Sequence, residues 1–143
     1  MVKHAAYPGR LRIVVYNQFD VWQEWDKKLD ADLNRYIAEA SKLPDPPTFV
    51  VENVWHENAR NVYHARYMIQ RHFNNETYQL QLDSHHRFAA NWDTTLIRML
   101  HSCDAGEMSV ITAYAPGFTM ADPSDGYSEA SPHIAPVAAM RHY

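Results

Sequence analysis

A chain of 143 residues has room for one domain with a core and not for two comfortable ones. Its net charge of −4 and pI of about 6.1 exclude a basic nucleic-acid surface, and no apolar run reaches the roughly 18 residues of a membrane span. A single cysteine, Cys103, excludes an intrachain disulfide, and residues 1–10 lack the apolar core of a signal peptide, so a soluble protein of a reducing, cytoplasmic compartment is expected.

Residues 1–10 are a polar lead ending in the Pro8-Gly9 turn signal. Residues 11–16, LRIVVY, form a nearly continuous apolar run, the pattern of a strand buried on both faces in a parallel sheet. Residues 20–42 follow helical spacing. Trp22, Trp25, Leu29, Leu33 and Ala40 share one stripe expected to face the core, with Asp20 as N-cap and Leu43-Pro44 as the stop. After the stiff Asp45-Pro46-Pro47 connector, residues 48–54, TFVVENV, predict a second strand.

Residues 61–73 are helical again, with Ala65, Met68, Ile69 and Phe73 on one side and Arg66 and Arg71 near its edges. Asn74-Asn75 stops that helix, and residues 78–82, YQLQL, alternate as a third strand does. Asn91 is placed to cap a helix over 92–102, with Leu96, Met99 and Leu100 as its buried face and Asp93 in its first turn. Residues 108–114 predict a fourth strand, and residues 119–143 are a turn-rich tail without periodicity. The β-α-β-α-β-α-β alternation argues for an α/β fold, a mostly parallel sheet with helices on its faces.

The chemistry concentrates where the third predicted strand stops, at Asp83-Ser84-His85-His86-Arg87. A carboxylate and an imidazole at i and i+2 can face one ion where a strand opens into a loop, and together they suit Mn²⁺, Zn²⁺ or Fe²⁺. The bland alternative is a strand-end turn with a capping Asp. In favour of a site is its place beyond the carboxyl end of a strand, where α/β sheets bind ligands.

The run from His64 to Leu100 carries a longer pattern: Ala65-Arg66, Glu76-Thr77-Tyr78, Leu80-Gln81-Leu82-Asp83-Ser84-His85, Arg87-Phe88 and Trp92-Asp93. In order and spacing it resembles the polypeptide N-acetylglucosaminyltransferases of the cytoplasmic type that modify hydroxyproline, and their bacterial relatives. The likeness covers about residues 7–118, taking in Glu57 to Arg60 and the run Val110 to Tyr114. Mucin-type N-acetylgalactosaminyltransferases carry a similar Arg…Asp-Ser-His arrangement. Asn61 stands where the family usually has Gly, and His86 where it commonly has Met.

The resemblance implies a GT-A, Rossmann-like fold over residues 1–118, followed by the tail 119–143. It implies a donor, UDP-N-acetylglucosamine, bound through a divalent metal, Mn²⁺ by preference. Asp83 and His85 are the implied metal ligands; Arg66, Asp83, Arg87, Trp92 and Asp93 are the implied donor-binding residues; no catalytic residue is assigned. The acceptor, a protein or a glycan, is left open. The family's domain begins with a further strand and continues past this chain's end, so a truncated domain is expected, with an exposed edge, weak stability and a need for a complementing chain or another copy of itself. Two alternatives stay open: a non-catalytic remnant or subunit of a split glycosyltransferase, and a metal-dependent hydrolase built on Asp83, His85 and His86.

Overall fold

The computed structural model describes residues 1–83, 86–112 and 138–139. Its strands and α-helices follow the order β1 (Arg12–Phe19), α1 (Glu24–Ala40), β2 (Thr48–Trp55), α2 (Val62–Gln70), α3 (Trp92–His101), β3 (Ile111–Thr112) and β4 (Ala138–Ala139). The chain divides into two compact units, residues 1–93 and 94–143. None of the described helices is long and apolar enough to cross a membrane.

The first unit is a Rossmann-like α/β unit built on one parallel strand pair. β1 and β2 align from Arg12↔Thr48 to Phe19↔Trp55, and the bond from Thr48 N–H to Leu11 O extends the pairing at its start. The β-branched run Ile13-Val14-Val15 meets Phe49-Val50-Val51, which suits a strand pair covered on both faces. Helices α1 and α2 both pack on β1. Tyr36 meets Phe49 edge-on, with ring centroids 6.3 Å apart, and Asn17 links Asp30 of α1 to Asn53 of β2 through bonds of 3.1 and 3.0 Å.

Three expectations need correction. The expected α1 stripe faces the core only in its second half: Leu33 is half-buried and Ala40 buried, whereas Trp22, Trp25 and Leu29 are 78%, 67% and 51% exposed. Helical spacing shows that a face is apolar, not that another element covers it. Asp20 does not cap α1 either. The N-cap is Gln23, and Asp20 instead turns the chain ahead of the helix, accepting from Trp22 N–H at 2.8 Å while its own N–H donates to Asp26.

Residues 78–82, expected as a strand, have no ladder partner among the described residues. Their alternation sets up two faces, with Tyr78 and Leu80 42% and 45% exposed and Leu82 half-buried. Side-chain bonds tie this stretch to α2 instead, as described below.

Asn61 does what its side chain is suited for. It caps α2, its Oδ1 accepting from His64 N–H at 3.0 Å. Ala65, Met68 and Ile69 lie half-buried as expected, while Phe73 is 52% exposed. In the second unit α3 carries Leu96, Met99 and Leu100 half-buried. Met108 ends a 3-10 turn, Gly106–Met108, and not a strand. The pair β3–β4 is antiparallel, Ile111↔Ala139 and Thr112↔Ala138, so the tail expected to be irregular supplies a short strand. The rest of that expected tail lies outside the described residues.

Few of the described residues are buried: Val2, Ala40, Pro47 and Asp93. Asp93 is the unusual member of that group. Its two carboxylate oxygens accept the N–H groups of Ala6 and Tyr7 at 2.8 and 3.0 Å. Beside it, Trp92 Nε1–H donates to Met1 O at 3.1 Å and Asn91 N–H to His4 O at 2.7 Å, with Asn91 left-handed at φ 56°. Gly9 permits a second polar latch. Asp45 accepts its N–H at 3.2 Å, and a Cβ on Gly9 would fall 1.8 Å from Asp45 Oδ1.

Removing the Asp93 carboxylate strips two charge-assisted bonds and leaves backbone N–H groups unpaired. Asp93→Ala is therefore expected to destabilise by about 2–4 kcal/mol, whereas Trp25→Ala, at an exposed site, should stay within about 1 kcal/mol. Urea unfolding of both variants checks this. An equal loss in the two would mean that the α1 aromatic face is covered in solution.

Candidate functional site

The site is assembled around α2, between the ends of the parallel strands and residues 81–83. Arg66 and Asp83, seventeen positions apart, meet at 3.0 Å, Nη2 to Oδ1, with side chains 36% and 47% exposed. One turn further along α2, Gln70 Nε2–H donates to Gln81 Oε1 at 3.4 Å. These two contacts hold the motif segment against the helix. His86 is turned back on the same segment, its Nδ1 2.9 Å from the backbone oxygen of Asp83.

Upstream, the motif's Glu76 positions the segment. Its carboxylate accepts Asn74 N–H at 2.6 Å and pairs with Arg12 at 3.0 Å, and Arg12 also donates to the backbone oxygen of His72. The turn between α2 and the motif is thereby pinned to the first residue of β1, with Asn75 left-handed at φ 61°. Arg12 and Glu76 retain 27% and 29% side-chain exposure.

A cavity of about 460 Å³ opens along the second half of β2 and the turn into α2, lined by Tyr16 of β1 and by Glu52, Trp55, Glu57, Arg60 and His64 among others. Nδ1 of His64 is buried there with no hydrogen-bond partner among the described residues. The imidazole stands edge-on to Tyr16, with ring centroids 6.5 Å apart. Glu52 is held by His72 Nε2 at 2.9 Å. His64 and Arg66 lie in the same stretch of α2, so one short helix serves both the cavity and the Asp83 contact.

The residues expected to form a donor site separate into groups. Arg66 and Asp83 are brought together. Trp92 and Asp93 are occupied in holding residues 1–7, and Trp92 also packs on Phe88 at 4.9 Å. Arg87 is half-buried on the segment between the motif and α3. Ser84 and His85 lie outside the described residues. Among the described residues no group of three His, Cys, Asp or Glu side chains is arranged to hold a metal.

Tyr16, Glu57, Arg60 and His64 were not singled out from the sequence as ligand-binding residues. The signal available was positional and partial: Glu57 and Arg60 stand in the turn between β2 and α2, where α/β folds bind ligands, whereas Tyr16 lies within β1 and His64 in the first turn of α2.

A family model described as Glycosyltransferase (GlcNAc) matches residues 47–134, from the start of β2 through the cavity lining, α2, Asp83 and α3. Comparison with curated proteins and with solved structures finds no match.

The hydrogen bonds at Glu76 carry a pH signature. Backbone N–H groups of Asn74 and of Glu76 itself, reinforced by the charge of Arg12, hold this carboxyl below its ordinary value of 4.5. The folded state thus favours the ionised form. Its contribution to stability is present above the ordinary carboxylate pKa and is lost as pH falls through the lower, folded value. Glu76→Gln should therefore destabilise at neutral pH, and the gap from the parent should close on acidification through about pH 5 to pH 3. Chemical denaturation across that range measures it; a gap independent of pH would show that the carboxylate charge is not what holds the turn.

Proposed function

Because the chain belongs to the GlcNAc glycosyltransferase family, we propose that it binds UDP-N-acetylglucosamine at the Asp83 side of α2 and transfers the sugar to a hydroxyl acceptor. The supporting observation is the Arg66–Asp83 pair, two members of the family-like pattern seventeen positions apart yet in direct contact. In the transfer, the bond from the anomeric carbon to the β-phosphate oxygen breaks. A bond to the acceptor oxygen forms, UDP departs, and the acceptor's proton is released. Negative charge grows on the departing diphosphate, so the protein must present positive charge there.

In this reading Arg66 supplies part of that charge. An ion pair this exposed contributes about 0–1 kcal/mol, so the guanidinium exchanges the carboxylate for a phosphate at little cost. Arg60 is a second cation at the mouth of the cavity, where the nucleotide would lie beyond the strand ends. His64, through its unpartnered Nδ1, offers a hydrogen bond to the nucleoside. Trp92 and Asp93 act indirectly, by fixing the start of α3 on residues 1–7. Arg87 is assigned to the phosphates by its place in the motif.

The family also implies a divalent ion. The chemistry of the described ligand fits one: Asp83 is a partly exposed carboxylate within the matched segment, and with the imidazole of His85, which lies outside the described residues, it would offer a mixed oxygen–nitrogen set that suits Mn²⁺. Such an ion would supply charge to the departing diphosphate.

The sparse apolar burial favours a second reading, in which the chain holds donor as one subunit of an assembly with a complementing chain or further copies of itself. Donor binding without transfer by the purified chain would select that reading.

The direct test is a calorimetric titration of UDP-N-acetylglucosamine with and without Mn²⁺. Binding should depend on the metal, be lost in Asp83→Ala, and weaken about tenfold or more in Arg66→Ala and in Arg60→Ala, each of which removes a charge-assisted bond to phosphate. Metal-independent binding, or full affinity in Asp83→Ala, would overturn the assignment.

A further inference from the structure

Glu52 interrupts an apolar strand. β2 runs Phe49-Val50-Val51 before it and ends in Val54-Trp55, and in the parallel register Glu52 stands opposite Tyr16. Side chains alternate along a strand, so Tyr16 and Glu52 share one face of the pair and Asn17 and Asn53 the other. The asparagine face carries α1, through the bond from Asn17 to Asp30. The other face carries α2 and the turn after it: Tyr16 meets His64, and Glu52 meets His72. A carboxylate placed between a sheet and a helix costs stability unless its oxygens find partners.

His72 satisfies one oxygen. Its Nε2 lies 2.9 Å from Glu52 Oε2, and an ionised carboxylate only accepts, so Nε2 carries the proton. The backbone of His72 is fixed in turn: its N–H donates to Ile69 O at 3.1 Å, and its carbonyl accepts from Arg12. The second oxygen, Oε1, has no hydrogen-bond partner among the described residues, and the side chain, 31% exposed, lines the cavity. The buried Nδ1 of His64 stands in the same lining. Two carboxylates, Glu52 and Glu57, disfavour an anion in this part of the cavity, and Arg60 tempers their pull on a cation. A neutral group rich in hydroxyls meets neither objection. It donates to a carboxylate oxygen, whose lone pairs can take two hydroxyls on adjacent carbons, and it can donate to or accept from an imidazole nitrogen.

We propose that Glu52 receives a vicinal diol through Oε1, and that His72 is the positioning residue that holds the carboxylate for it. Two sources carry this chemistry, the ribose of a nucleotide and a pyranose ring. The ribose source rests on the donor reading above; the contact between Glu52 and a diol does not.

The test titrates UDP, 2′-deoxy-UDP and the methyl glycoside of N-acetylglucosamine, with Mn²⁺ present, into the full chain and into Glu52→Gln, His72→Ala and His72→Gln, with circular dichroism as the control for folding. The parent should prefer UDP to 2′-deoxy-UDP by about tenfold or more, the loss of one hydrogen bond to a charged acceptor. Glu52→Gln keeps an oxygen for His72 but turns an NH₂ group to the ligand. The preference should then vanish through weaker UDP binding, with 2′-deoxy-UDP little changed. His72→Ala should lose the preference as well, and His72→Gln, whose amide N–H stands close to where Nε2 did, should keep most of it. A purely structural role for either residue would weaken both nucleotides alike, and that outcome would overturn the proposal. Equal binding of the two nucleotides, beside glycoside binding that falls about tenfold or more in Glu52→Gln, would assign the diol to a pyranose and support the contact. UDP binding without preference and no glycoside binding would overturn the proposal and leave the donor reading intact. Glycoside binding that depends on Glu52 in a chain that binds no UDP would support the contact and overturn the donor reading; binding of neither would overturn both.

Discussion

The buried carboxylate of Asp93 holds together more of the first unit than any apolar side chain among the described residues. It gathers two backbone N–H groups from a segment more than eighty positions away, and the neighbouring Trp92 and Asn91 add two further bonds to the same segment. Polar groups need partners wherever water is excluded, and backbone N–H groups with no ladder to join are the commonest claimants. Residues 1–7 form no strand with β1 or β2: the N–H groups of Val2, Ala6 and Tyr7 are met by side chains, and those of His4 and Ala5 by the carbonyls of a 3-10 turn. The other long-range latches follow the same pattern: Arg12 on His72 O and Glu76, and Asp45 on the backbone of Gly9. A parallel pair of eight-residue strands exposes more backbone at its edges than it satisfies, and these latches bring the surrounding loops to it. The loop that carries the candidate site is one of those held in this way, so its geometry depends on polar contacts and responds to pH.

Local sequence made the elements legible where periodicity and covering coincide. β1 and β2 are β-branched runs that pair with each other, and the half-buried sides of α2 and α3 are the ones their spacing marks out. The failures have one cause. Trp22, Trp25 and Leu29 form as clear a stripe as any in the chain, and Tyr78, Leu80 and Leu82 alternate as a strand does. In both cases the pattern marks an apolar side without fixing what covers it: the three α1 side chains stay more than half exposed, and residues 78–82 join no ladder among the described residues. Asn61 shows the converse. It stands where the resembled family usually has Gly, and the α2 N-terminus gives its side chain a backbone N–H to bind.

The candidate site was legible in part. Arg66 and Asp83 could be singled out only through a pattern spread over many positions, because an arginine on a helix and an acid after an apolar run are each commonplace. The fold makes the pairing specific. Gln70 and Gln81, four and two positions from those residues, place the two segments side by side, and Glu76 ties the intervening turn to β1. The cavity was not legible. Its lining comes from the middle of β1, the second half of β2, the turn that follows and the start of α2, and these meet only once β1 and β2 are adjacent.

Electrostatics link the polar scaffold to the proposed chemistry. Arg66 neutralises Asp83 at 3.0 Å, on a surface where an ion pair contributes about 0–1 kcal/mol. If Asp83 took a cation, as proposed, the guanidinium would be free to turn to a diphosphate held beside it. The contact that neutralises the carboxylate would then be the one that the donor replaces.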